Sequence, residues 1–265
     1  MKKVMFAAAV AAGLVAFGEG IESQNTVGYK TTNSGTDLYL TGGMCFVTCG
    51  STDGTFRLGD LKLEGSTWGS DWLQFLDPTT SIVDPSKSVT YYSAAEAIAD
   101  GGTADGAEWE NYDEECQDDV TYPIGTAFLT SFASTGVTIT YSGEVNLNAA
   151  YSTIDCTGKP FAFVANPYPG DLTAGDIKLV NSVWGSDWLQ FLDPATSIVD
   201  PSKSITYYSA AEAIADGGTA DDAEWENYDE ECKDDSPILA GSGFLCSFAS
   251  PSVQILFPVY TPSAD

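Results

Sequence analysis

The segment DGGTADGAEWENYDEECQDD, Asp100–Asp119, sets carboxylates on a glycine-rich loop, and a near twin follows at Asp216–Asp235. Calcium takes about six to eight oxygen ligands from flexible loops of this kind. Asp100, Asp105, Glu108 and Asp113, with Asp216, Asp221, Glu224 and Asp229 in the twin, are therefore the candidate metal ligands. The spacing lacks the D-x-[DN]-x-[DN]-G frame of an EF-hand, and a solvated acidic loop is the competing reading. Calcium is the only cofactor these residues suggest.

The same loops carry aromatic residues, Trp109 and Tyr112 in the first and Trp225 and Tyr228 in the second. An exposed ring offers an apolar face to a sugar, and neighbouring carboxylates accept its hydroxyl hydrogens. Those four residues are the candidate ligand-binding set, and two equal sites would add avidity. The alternative is that the rings fold back onto a sheet.

The chain contains no histidine. That removes Ser-His-Asp and Cys-His catalysis, histidine-ligated zinc and the commonest general base. No Walker loop and no GxGxxG occurs, so phosphate cradling has no basis. Paired carboxylates, as in glycoside hydrolases, survive as an enzymatic option. With 38 Asp and Glu no pair stands out. A non-catalytic protein is the expectation.

Six cysteines are present: Cys45, Cys49, Cys116, Cys156, Cys232 and Cys246. In an exported chain they are disulfide candidates, and sequence alone leaves many pairings open. Cys156–Cys246 is the favoured pair, while Cys45 and Cys49 would close a tight loop if the chain turns between them. Only Cys116 and Cys232 occupy equivalent positions in the repeat described next.

Residues 68–116 match 184–232 at a constant offset of 116, and only Thr79/Ala195, Val89/Ile205 and Gly106/Asp222 differ. The block opens on WGSDWLQFLDP in both copies. Skipping one further residue aligns Phe46-Val47 with Phe163-Val164. So long a period indicates a duplicated domain and not a solenoid. The expected division is a signal peptide at 1–18, one module at 19–145 and a second at 146–265.

The modules read as β. Val137, Ile139 and Tyr141 alternate with Thr138 and Thr140, giving a strand with one buried face. Asp71–Leu76 reads as a strand buried on both faces, with Trp68 and Trp72 as core residues, stopped by Asp77-Pro78. Ser88–Tyr92 and Ala127–Phe132 are two more strands. Ser93 with Glu96 forms a capping-box pattern, so a short helix over Ala94–Ala99 is expected to stop at Gly101-Gly102. Each module is thus expected to be an all-β sandwich or partly open barrel with one short helix in a long acidic loop.

Met1-Lys2-Lys3 followed by an Ala-rich apolar run to Phe17 has the layout of a cleaved signal peptide, with the mature chain beginning near Glu19. Export to the cell surface or medium is expected, with the periplasm also open. No later apolar run reaches the roughly 18 residues that span a bilayer, so no transmembrane segment is expected. Lys and Arg number 10 against 38 acids, a net charge of −28, and loss of Lys2 and Lys3 leaves 8 − 38 = −30. Nucleic acid and anionic membranes both require a basic surface, and neither is an expected partner.

NTVGY (Asn25–Tyr29), GTAFL (Gly125–Leu129), TITYSGEV (Thr138–Val145) and ANPYP (Ala165–Pro169) together resemble a family of exported two-module proteins. That family is common in bacteria of the Verrucomicrobiota and Kiritimatiellota type. The resemblance implies export, duplication and β architecture, and carries over no catalytic residue. The expected role is structural or adhesive at the cell surface, with an envelope component, a glycan or a second copy as partner. A calcium- or glycan-binding module with two sites is the second reading, and a carboxylate-dependent glycosidase the third.

Overall fold

Strand Val137–Val145 is the spine of the first half of the chain, as its alternating pattern requires. Ile139 and Tyr141 are fully buried, while Thr140 between them is half-buried and Ser142 beyond them is exposed. It pairs antiparallel with Thr26–Asn33 on one side and with Leu61–Glu64 and Phe46–Val47 on the other. This computed structural model describes residues 26–33, 38–43, 45–76, 83–145, 152–191 and 200–259. The expected signal peptide, the Asp77-Pro78 stop and the connection at 146–151 lie outside the described residues.

A second sheet of the first half runs in the order Leu38–Gly43, Ala127–Ser131, Trp72–Leu76, Val83–Tyr92, Glu108–Glu110. Its inward residues Leu73, Phe75, Tyr91, Trp109 and Phe128 meet Leu61, Leu63, Ile139 and Tyr141 of the first sheet in one apolar cluster. The second half repeats this order with Phe161–Ala165, Gly243–Ser247, Trp188–Gln190, Ile205–Tyr208 and Glu224–Glu226. There the second sheet is Thr153–Asp155, Gln254–Leu256 and Lys178–Val180, around a cluster containing Leu189, Trp225, Phe244 and Ile255. The fold is mostly β, its sheets are antiparallel and open, and among the described residues no sheet mixes strands of the two halves, which a single antiparallel bridge, Thr126 to Val164, joins.

The strand register corrects the expected alignment of Phe46-Val47 with Phe163-Val164. Phe46 and Val47 pair with Val145 and Glu144, whereas Phe163 and Val164 pair with Leu245 and Phe244 in the other type of sheet. The equivalent of Phe163 is Leu40, because Leu40 faces Leu129 as Phe163 faces Leu245, and 245 − 129 = 116. Phe56 and Leu172 are equivalent in turn, facing Tyr122 and Ile238. From Leu40 to Phe56 is 16 positions and from Phe163 to Leu172 is 9, so the first half holds seven extra residues there. Cys45 and Cys49 fall in that stretch, which has no room for counterparts. A short apolar dipeptide does not specify a register; the face it must bury does.

Strand Trp72–Leu76 also departs from expectation. Leu73 and Phe75 are buried, but Trp72, Gln74 and Leu76 are only half-buried, so one face is core and the other is not. The helix Ala94–Ala99 forms with a complete capping box and ends where Gly101 takes φ +88°, a value that glycine adopts without strain. Its twin is Ala210–Ala215. The halves touch where the expected GTAFL and ANPYP motifs meet: the Ala165 amide donates to the Gly125 carbonyl at 2.8 Å. Among the described residues no helix is long and apolar enough to cross a membrane.

Candidate functional site: a twinned aromatic platform

The repeated WGSDW sentence builds a turn that is pinned from three sides. Asp71 is fully buried, and its carboxylate accepts from the amides of Thr67 at 2.6 Å and Ser134 at 2.9 Å. Asp187 does the same for Val183 at 2.7 Å, Ala249 at 2.7 Å and Ser250 at 3.0 Å. A carboxylate is tolerated at such depth because its lone pairs are filled by N–H donors. The Gly69 amide donates to Thr90 Oγ1 at 3.0 Å, and the Trp68 amide donates to Glu96 Oε1 at 2.9 Å. Glu96 also closes the capping box with Ser93, so one side chain ties the helix start to the turn. Glu212 repeats the arrangement on Trp184 at 2.8 Å.

This frame sets four rings on the outer face. Tyr112 stacks on Trp72 with centroids 5.6 Å apart and planes inclined by 26°, and Trp68 meets Tyr92 edge-on at 5.8 Å. In the twin, Tyr228 stacks on Trp188 at 5.5 Å and Trp184 meets Tyr208 at 5.9 Å. Tyr112 and Tyr228 are 76 % and 77 % exposed, and Trp68 and Trp184 about half as much. The tyrosines are held by tight turns in which Asn111 Oδ1 accepts from the amides of Asp113 and Glu115, and Asn227 Oδ1 from those of Asp229 and Glu231. Glu114 and Glu230 in these turns adopt φ values of 59° and 58°, uncommon for residues with a Cβ. In the second half, Trp184, Trp188, Thr206, Asn227, Tyr228 and Glu230 border a cavity of ≈ 160 Å³.

Carboxylates ring the platform. The indole N–H of Trp68 donates to Glu110 Oε2 at 2.6 Å, and that of Trp184 to Glu226 Oε2 at 2.7 Å. Partial burial raises the pKa of Glu110 and Glu226 above the ordinary carboxylate value, and nearby acidic side chains add to the rise, while the indole bonds oppose it. The Tyr92 hydroxyl donates to Asp100 and that of Tyr208 to Asp216, and these bonds push both phenols up to about 12. The chemistry on offer is flat apolar faces beside acceptors.

Trp109 and Trp225, expected as exposed ligand-binding rings, are fully buried. Their indoles donate to the carbonyls of Leu61 at 2.7 Å and Ile177 at 2.9 Å, and their rings pack on Tyr91 and Tyr207. Strand pairing of Glu108–Glu110 turns the middle residue inward, so Trp109 fills the core while Glu108 and Glu110 face out. Of the expected set, Tyr112 and Tyr228 reach the platform. Trp68 and Trp72 and their twins, expected in the core, join them instead. The signal that singles them out is the strand's alternation: if Leu73 and Phe75 point inward, Trp72 points outward.

The acids proposed as metal ligands disperse. Asp100 and Asp216 accept from tyrosines, Glu108 and Glu224 accept from the thiols of Cys116 and Cys232, and Asp105 and Asp221 lie exposed in short 3₁₀ turns. Asp113 and Asp229 sit in the asparagine-capped turns. Among the described residues no group of three or more Cys, Asp or Glu is placed to hold a metal ion. No disulfide is formed among the described residues, which include all six cysteines. Cys45, Cys156 and Cys246 are buried, and Cys49, Cys116 and Cys232 are exposed. Comparison with models of protein families, with curated proteins and with solved structures gives no match.

Proposed function

We propose that this chain is an exported, non-catalytic adhesive protein made of two copies of one β-sandwich module, each presenting an aromatic platform that binds glycan outside the cell. The observation that carries the reading is the stacking of a mostly exposed tyrosine on an outward tryptophan, Tyr112 on Trp72 and Tyr228 on Trp188. An exposed ring held in place by a turn has little entropy left to lose, so a sugar face can pack on it at low cost. The surrounding carboxylates accept hydroxyl hydrogens and repel acidic polymers, which narrows the ligand to neutral or amine-bearing sugars. Two like platforms on one chain would convert weak single-site binding into firm attachment.

The experiment is a glycan array probed with the mature chain, followed by titration of the best neutral or amino sugar. Binding that is lost in a Tyr112→Ala/Tyr228→Ala double variant, and weakened by each single variant, is the expected result. No glycan bound by the wild-type chain, or binding unchanged in the double variant, would reject the platform.

A further inference from the structure

Cys156 follows strand Thr153–Asp155 and continues its sheet, with its amide donating to the Val253 carbonyl at 3.0 Å. Cys246 lies in the five-stranded sheet, in strand Gly243–Ser247, facing Ala162 on one neighbour and Leu189 on the other. Both side chains point into the same apolar cluster and are 1 % and 0 % exposed. There the Cys246 thiol hydrogen-bonds to the Cys156 sulfur across the gap between the sheets. The first half has neither thiol. The register places Asn33, opposite Val137, where the second half has Cys156 beside Val253, and Thr130 where it has Cys246. Two cysteines peculiar to one half therefore occupy positions that meet, although the chain separates them by 246 − 156 = 90 residues.

We propose that Cys156 and Cys246 become joined in a disulfide that fastens the two sheets of the second half, and that the bond forms before their core closes. The oxidant is a reactive disulfide, either that of a thiol–disulfide oxidoreductase or oxidised glutathione. The thiolate of one cysteine attacks that disulfide, giving a mixed disulfide and releasing one carrier thiolate. The second cysteine, deprotonated in turn, displaces the carrier. The two cysteines lose two electrons and two protons, and the carrier disulfide is reduced to two thiols. With both sulfurs out of solvent, no carrier reaches them in the folded chain, so exchange belongs to folding. The same burial then shields the finished bond from reductants. A link across so long a loop restricts the unfolded chain strongly, and the second half is the part it stabilises.

Three of the other four cysteines are held back from exchange. Cys116 and Cys232 are exposed, and their thiols donate to Glu108 and Glu224, which raises their pKa and withholds the reactive thiolate. Cys45 is buried in the core of the first half, where loss of solvent pushes its thiol up to about 12.

The test is to refold the full chain in a glutathione redox buffer, alkylate it in denaturant without reductant, digest it and map the peptides by mass. The expected result is one linked pair joining the Cys156 and Cys246 peptides, lighter by two hydrogens than their sum. Alkylation of both cysteines, or linkage of either to another cysteine, overturns the bond. In a second arm, oxidised glutathione is added to the chain already folded in reductant. Cys156 and Cys246 should then stay unlinked, and rapid linkage overturns the order of events. Urea denaturation should show a lower midpoint for the reduced than for the oxidised wild-type chain. A Cys156→Ala/Cys246→Ala variant should show no such difference, and an equal difference there would assign the effect elsewhere.

Discussion

Tyr112 lies on Trp72 and Trp109 lies beneath the same sheet, so two aromatic residues of one short loop serve opposite faces of the protein. Tyr112 stacks at 5.6 Å with most of its ring in solvent, whereas Trp109 is sealed against Tyr91 at 5.1 Å. The difference follows from the strand Glu108–Glu110, which commits Trp109 inward and ends before the turn that lifts Tyr112 outward.

Substitution should separate the two roles. Trp109→Ala is expected to cost about 4 kcal/mol of stability, through the cavity it opens and the Leu61 carbonyl it strands. Tyr112→Ala should cost about 1 kcal/mol or less, since it forfeits only the stacking. Urea denaturation gives both values, and a Tyr112→Ala loss as large as that of Trp109→Ala would contradict the assignment.

Asp71 and Asp187 are the residues that make the repeated sentence fold as it does. Removing either carboxylate takes away the buried acceptor that several turn amides share, at a cost of about 2–3 kcal/mol. Asp71→Ala and Asp187→Ala should each lower the denaturation midpoint accordingly. Asp71→Asn, which retains one acceptor oxygen, should fall between. A neutral effect for the alanine variants would mean that the turn finds other partners.

Glu96 serves the helix cap and the Trp68 turn together, so its loss should be felt at two places. Glu96→Ala is expected to cost about 1–2 kcal/mol, the range of a lost cap. It should also alter the emission of the exposed tryptophans, because Trp68 loses its amide anchor. Ser93→Ala removes the cap but leaves the anchor, and should destabilise without the spectral change.

Glu110 and Glu226 have folded pKa values above their ordinary value of 4.5. A raised folded pKa means that the folded state holds its proton longer than the unfolded chain does. The stability this provides is complete below the ordinary value and is lost as pH rises through the raised one. A Glu110→Gln/Glu226→Gln variant stays neutral throughout. Its melting temperature relative to wild type should therefore climb across that window and then level off. A difference that stays flat as pH rises from below the ordinary value to neutrality would show that folding leaves these pKa values unchanged.

Much of the architecture was legible along the chain because its signals are local. The alternation of Val137, Ile139 and Tyr141 reads directly as the spine strand, and Ser93 with Glu96 reads as the helix start that the structure contains. The face of a residue was legible only where strand alternation was applied strictly. It placed Ile139 correctly, but the apolar run Trp72–Leu76 concealed it, since tryptophan and leucine fit a buried face and an open one equally well.

The sequence alone therefore determined the repeat, the β character and the strongly acidic charge, since each is a property of composition or of neighbouring residues. The tertiary structure alone decided which rings meet and which carboxylates are buried, and it set side by side the two sulfurs that the sequence had only favoured as a pair. Those relationships join residues brought together by strand register, and register depends on which faces the folded sheets must bury.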